Sequence, residues 1–196
     1  MKKLLLVFLM VFGLSCSAGA VVLTFDDIDT GLGGMIVDGY GGLNWSEMFY
    51  LDSTLREDGY AYGTVSEPYV AYNCQSRPAT VSVSDGIFDF NGAYLTGAWN
   101  DGLNIEVKGF LGISQVYLRT VIVDTVSPTW FDFNFLGIDT LSFNSFDGVN
   151  AEYLGGSGYH FVMDNFTFNE VPEPSTMILL SSGLIGLALY RRRRAN

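Results

Sequence analysis

The chain has 196 residues, room for one ordinary domain and short processing segments but not for a large multidomain enzyme. Hydrophobic residues make up 48%, aromatics 15% and charged residues 16%, which excludes a disordered polyampholyte and a coiled coil; the 23 glycines follow no three-residue period, which excludes collagen. Between residues 21 and 170 four basic residues (Arg56, Arg77, Lys108, Arg119) stand against twenty acidic ones, a net charge of −16, so nucleic acid and anionic lipid are excluded as partners of that segment.

Residues 1–20 read as a secretory signal peptide. Lys2 and Lys3 form a charged start, Leu4 to Leu14 an apolar run, and Ala18-Gly19-Ala20 offers small residues for cleavage. That run is too short to cross a hydrocarbon core of roughly 30 Å. A lipoprotein at Cys16 is the alternative, but Gly13 occupies the place where such a signal wants an aliphatic residue.

The remaining 21–170 segment is expected to be one all-β domain, an antiparallel β-sandwich of jelly-roll type. Short runs rich in valine and aromatics predict strands over 21–25, 69–72, 80–83, 87–90, 93–99, 103–110, 115–123, 130–135, 140–143 and 161–168. Asp85-Gly86, Asn91-Gly92 and Asp147-Gly148 punctuate them as turns. Alternation is plainest in Phe131-Asp132-Phe133-Asn134-Phe135, with one face apolar and one polar. The glycine- and tyrosine-rich stretch 31–63 is expected to carry long loops. With Cys16 removed, Cys74 is a lone thiol in an oxidising compartment, either buried or paired between molecules.

Chemistry is sparse. His160 is the single histidine, no nucleophile elbow surrounds any serine, and no phosphate loop or dinucleotide fingerprint occurs, so a non-catalytic domain is expected. A secreted glycoside hydrolase would need a pair of carboxylates that nothing in the pattern singles out. Asp26, Asp27 and Asp29 follow the first strand, while Asp164 lies in the last. If those strands pair, their carboxylates converge, an oxygen-rich arrangement that suits a structural Ca²⁺, with solvated turn residues as the alternative. Tyr40, Trp45, Tyr60, Tyr62 and Trp99 lie in or near glycine- and asparagine-rich segments, where rings can stack on sugar faces while Asn100 or Asp101 bonds hydroxyls. The candidate ligand set is therefore Tyr40, Trp45, Trp99, Asn100 and Asp101. The run Phe161-Val162-Met163-Asp164-Asn165-Phe166 and the early Phe25-Asp26-Asp27 resemble carbohydrate-binding jelly rolls of the galactose-binding type. The likeness is one of fold and reaches function only by analogy.

Residues 171–196 form the tail. Val171, Pro172, Glu173 and Pro174 open it, an uncharged stretch predicts a transmembrane helix over about 175–190, and Arg191, Arg192, Arg193 and Arg194 would hold its end on the cytoplasmic side. Seventeen uncharged residues at ~1.5 Å each span roughly 25 Å, slightly short of the hydrocarbon core, a gap that snorkelling arginines and local thinning would cover. The Pro-Glu-Pro turn, the short apolar helix and the terminal arginine cluster resemble the PEP-CTERM sorting signal, also known as the ice-binding-protein C-terminal domain. That resemblance implies recognition by a membrane-embedded exosortase, loss of the tail, and delivery to the surface of a Gram-negative bacterium that makes exopolysaccharide. The expectation is an exported module that binds exopolysaccharide; the alternative is a structural surface or matrix protein that self-associates.

Overall fold

The computed structural model describes residues 19–28, 31–153, 156–171 and 174–194. The expected signal peptide up to residue 18, with Cys16, lies outside them, as do Asp29, Pro172 and Glu173. The chain divides into a compact unit, Ala20–Glu170, and a second unit comprising Met1–Gly19 and Val171–Asn196.

Within Ala20–Glu170 the strands are β1 (Val21–Leu23), β2 (Gly33–Met35), β3 (Asn44–Ser46), β4 (Met48–Asp52), β5 (Tyr69–Asn73), β6 (Ala79–Ser82), β7 (Ile87–Gly97), β8 (Asn100–Asp101), β9 (Leu103–Leu111), β10 (Ser114–Val123), β11 (Thr129–Ile138), β12 (Thr140–Phe146), β13 (Val149–Asn150) and β14 (Phe161–Val171). One short helix, α1 (Gly59–Tyr62), follows β4. Seven strands form one sheet in the order β11-β7-β14-β5-β4-β2 with β1 added on β14; five form the second, β10-β9-β12-β6-β3. The order β5-β14-β7-β11 facing β6-β12-β9-β10 is the jelly-roll arrangement, with the chain crossing repeatedly between layers. The chain is thus an antiparallel β-sandwich, and its short first strand does pair with its last.

Period-two alternation places the core. Phe131, Phe133 and Phe135 turn inward from β11, and Ile105 and Val107 do so from β9. Phe90 sits at the centre, stacked on Phe166 at 4.8 Å and on Phe133 at 5.1 Å, and edge-on to Phe143 at 6.2 Å. Each such ring removed from water stabilises the fold by roughly 1.5–3 kcal/mol.

Two expectations need correction. Asn91-Gly92 is no turn: both residues lie inside the eleven-residue β7, which runs unbroken where two strands are expected. A Cβ at position 92 would sit 2.3 Å from the Phe131 carbonyl oxygen, so glycine is required there by the close approach of β11, not by a reversal of the chain. The 31–63 stretch likewise is not mainly loop. It supplies β2, β3, β4 and α1, and its strands, as short as three residues, carry too little alternation to show in sequence. β2 pairs with β4 inside the stretch, whereas β3 pairs outside it with β6, Trp45 lying opposite Val81.

Taken by itself, the C-terminal unit contains α2 (Pro174–Arg194), a 21-residue helix. Among the described residues no helix is long and apolar enough to cross a membrane, which departs from the expected span over about 175–190. Serine and glycine at 181–183 and 186 dilute the apolar run, and the four arginines fall inside the helix, taking up its last turn.

Candidate functional site

The acidic strand ends come together as the topology requires, but they are already engaged. β1 runs antiparallel to β14 with Val21 opposite Phe168 and Leu23 opposite Phe166. Asp164 is fully buried; its Oδ2 accepts from the Val65 N–H at 2.7 Å and the Ser66 N–H at 2.9 Å, and its Oδ1 accepts from the Asn165 N–H at 2.7 Å. Burial pushes its carboxyl above the usual carboxylate range; those N–H groups pull it down, and Asp26 nearby pushes it up again. Asp26 Oδ1 accepts from the Tyr69 N–H at 3.1 Å, whereas Asp27 Oδ1 accepts from the Tyr40 hydroxyl at 2.7 Å. Among the described residues no three His, Cys, Asp or Glu side chains form a group that could hold a metal ion. Asp26, Asp27 and Asp164, the expected calcium trio, thus hydrogen-bond to Tyr69, to Tyr40 and to Val65 and Ser66.

The first half of the expected ligand set turns inward. Trp45 is only 4% exposed, set edge-on to Phe25 and Phe166 at 5.8 and 5.5 Å, with its indole N–H bonded to the Tyr40 carbonyl at 3.0 Å. Tyr40 stacks on Phe25 at 5.8 Å. Burial and the hydrogen bond to Asp27 raise the Tyr40 phenol well above its normal value. These rings close one side of the core, Trp45 buried and Tyr40 half-buried.

The second half builds a different place. Val70 and Val162 point away from the main core, on the opposite face of β5 and β14 from Ala71 and Met163, and a second apolar cluster forms over them with Tyr60, Ala98 and Trp99. Asp58 caps α1 by accepting from the Tyr60 N–H at 3.0 Å and pairs with Arg56 at 2.5 Å. The Arg56 guanidinium lies 5.2 Å from the Tyr60 ring and 5.4 Å from that of Trp99, and its Nε is buried without a hydrogen-bond partner. The His160 Nδ1 lies 2.6 Å from the Tyr60 hydroxyl, and its ring stacks on Tyr72. Burial lowers the His160 pKa below 6.5 and raises those of Tyr60 and Tyr72. Trp99 itself is 6% exposed; a Cβ on Gly156 would come within 2.1 Å of its ring, so the 156 segment lies directly on the indole.

Beside this layer lies a small polar network centred on the buried Thr125. Asp101 Oδ1 accepts from the Thr125 N–H at 2.8 Å and from its hydroxyl at 2.7 Å. That hydroxyl, its proton given to Asp101, accepts from the Tyr153 hydroxyl at 3.2 Å. Tyr153 in turn stands against Tyr62, ring centroids 6.1 Å apart and tilted by 52°, and Tyr62 is 46% exposed. Asn100 donates to the Asp147 carbonyl at 3.1 Å, while its own Oδ1 is buried with no partner. Of the expected set, then, Trp99, Asn100 and Asp101 share one end of the sandwich, with Trp99 as foundation. Tyr40 and Trp45 belong to the other cluster. Tyr153 and Thr125 complete the site unannounced by any motif; the only hint of Tyr153 is its place beside the glycines at 155, 156 and 158.

No curated protein matches this chain. Among solved structures it is similar to a DUF4465 family protein from Bacteroides ovatus, with 10% identity, TM-score 0.43, and 78% of this chain and 94% of that one covered. It is also similar to TmCBM61 in complex with β-1,4-galactotriose, with 10% identity, TM-score 0.36, and 68% and 94% covered. The tail is a different matter, because the PEP-CTERM protein-sorting motif matches residues 170–194. Val171 and the arginines of α2 fall within that match, so the chain carries a PEP-CTERM sorting signal of the kind an exosortase reads, and it is an exported protein processed at the membrane.

Proposed function

We propose that Ala20–Glu170 is a non-catalytic carbohydrate-binding module, carried by its sorting tail to the cell surface of a Gram-negative bacterium, where it holds exopolysaccharide. The observation that carries this reading is the Tyr62–Tyr153 ring pair, Tyr62 exposed and Tyr153 half-buried, fixed through Thr125 to the Asp101 carboxylate. A sugar ring offers an apolar C–H face to such aromatics and hydroxyl donors to such a carboxylate. The pair is stiff because Tyr153 packs on the Trp99 layer, so little side-chain entropy is lost on contact. Catalysis has poor footing here: the half-buried His160 is hydrogen-bonded to Tyr60 and stacked on Tyr72, and the Asp58, Asp101 and Asp164 carboxylates are engaged by N–H donors of the protein. Before processing, α2 and its arginines would hold the chain at the inner membrane for the exosortase.

The test is titration of the full-length chain with polysaccharide. Tyr62→Ala is expected to weaken binding about tenfold, or ~1.4 kcal/mol, with the unfolding midpoint held. Wild-type affinity in that variant would remove this site from the account.

A further inference from the structure

The sugar-binding reading deepens at the β11 edge of the seven-stranded sheet. β11 is an edge strand whose Trp130, Asp132, Asn134 and Leu136 are exposed, alternating with Phe131, Phe133 and Phe135. Trp130 is 38% exposed and stands in register with Tyr94 of β7, ring centroids 5.3 Å apart at 62°. Its benzo edge occupies the space over Gly92, where a Cβ would come within 2.6 Å of Cζ2. Asp132, exposed, is the register partner of Gly92. Next to Gly92, the Asn91 Oδ1 is buried and receives no hydrogen bond from the protein. Indole and phenol thus stand on the sheet with an exposed carboxylate two residues along the same strand.

We infer that the Trp130–Tyr94 shelf is a second carbohydrate site and that its ligand is an uncharged polysaccharide. The inference rests on the sugar-binding reading and adds the site and the chemical class of polymer. An exposed indole backed by a glycine cannot sink into the sheet, so its ring stays available for the C–H face of a sugar, while Asp132 accepts from hydroxyls.

Charge selects the class. Each of the domain's four basic side chains is engaged: Arg56 with Asp58, Arg77 with Glu47, Lys108 with Glu106, and Arg119 through Nη1 with the Asp132 carbonyl. A uronate, sulfate or phosphate polymer would meet a net charge of −16 with no unengaged cation to receive it. A neutral chain meets no such repulsion. Two sites on separate elements of one domain also let a single repeating polymer engage both, or let one domain join two polymer chains.

The experiment uses the full-length protein with dextran, galactan and mannan as neutral probes and alginate as the anionic control, comparing wild type with Trp130→Ala, Trp130→Phe and Tyr62→Ala. Wild type is expected to bind at least one neutral probe and not alginate. Trp130→Ala should weaken that binding by tenfold or more while the protein stays fully folded under the assay conditions, and Trp130→Phe should restore most of it. Neutral binding that Tyr62→Ala abolishes but Trp130→Ala leaves intact overturns the second site while the general reading stands. Alginate bound more tightly than every neutral probe overturns the ligand class. Wild type that binds none of the four overturns the sugar-binding reading, and this inference with it.

Discussion

Trp99 and Trp130 each rest against a glycine, yet one is sealed and the other open. Gly156 belongs to a loop that roofs Trp99 from outside, leaving it 6% exposed, whereas Gly92 belongs to the sheet beneath Trp130, leaving that ring 38% exposed. The same pairing of indole with glycine therefore builds a foundation in one region and a contact surface in the other. What decides between them is whether the glycine approaches from the solvent side or the sheet side. Residue type alone does not separate these roles.

Truncation should break this symmetry most strongly. Trp99→Ala removes the base on which Tyr60, Arg56 and Gly156 pack and is expected to cost about 3–5 kcal/mol in urea unfolding. Trp130→Ala should cost about 1 kcal/mol or less, because the ring is partly exposed at a sheet edge. Equal losses would mean that Trp130 is as structural as Trp99.

A smaller effect sharpens the same contrast through pH. The enclosed layer beneath Tyr62 includes His160, whose burial holds its pKa below 6.5, with Tyr60, Tyr72 and Arg56 around it. Below pH 6.5 the unfolded chain takes up a proton that the folded chain resists, so stability present above that pH is lost as pH falls toward the depressed folded value. His160→Gln should flatten this decline below pH 6.5 in thermal melts. Asp164 acts in the opposite sense: its raised folded pKa adds stability as pH falls from that value toward 3.8. A decline that survives in His160→Gln would place the responsible group outside this layer.

Much of the fold was legible because alternation is a local signal. Phe131 to Phe135 announces an inner and an outer face, and pairing of the first and last strands follows from jelly-roll topology. The three-residue β2 and β3 are too short to carry such a signal, and β3 takes its partner β6 from outside the 31–63 stretch. The tail was legible because its Pro-Glu-Pro turn and arginines are contiguous in sequence. The candidate site was legible only in part. Trp99, Asn100 and Asp101 mark the right place, but Trp45 looks like a surface ring only until Phe25 and Phe166 close on it. Asp164 looks like a metal ligand until the Val65 and Ser66 N–H groups take up its oxygens. Burial is set by tertiary packing, and residue type and spacing do not report it.

The central claim is that exposed rings, not the buried tryptophans, meet the polysaccharide, and hydroxyl-radical footprinting of the full-length chain tests it most directly. With saturating neutral polysaccharide, oxidation at Tyr62, Tyr153 and Trp130 is expected to fall several-fold, while Trp45 and Trp99 stay equally protected with and without polymer. Unchanged oxidation at the exposed Tyr62 and Trp130, with the polymer bound, would contradict the account.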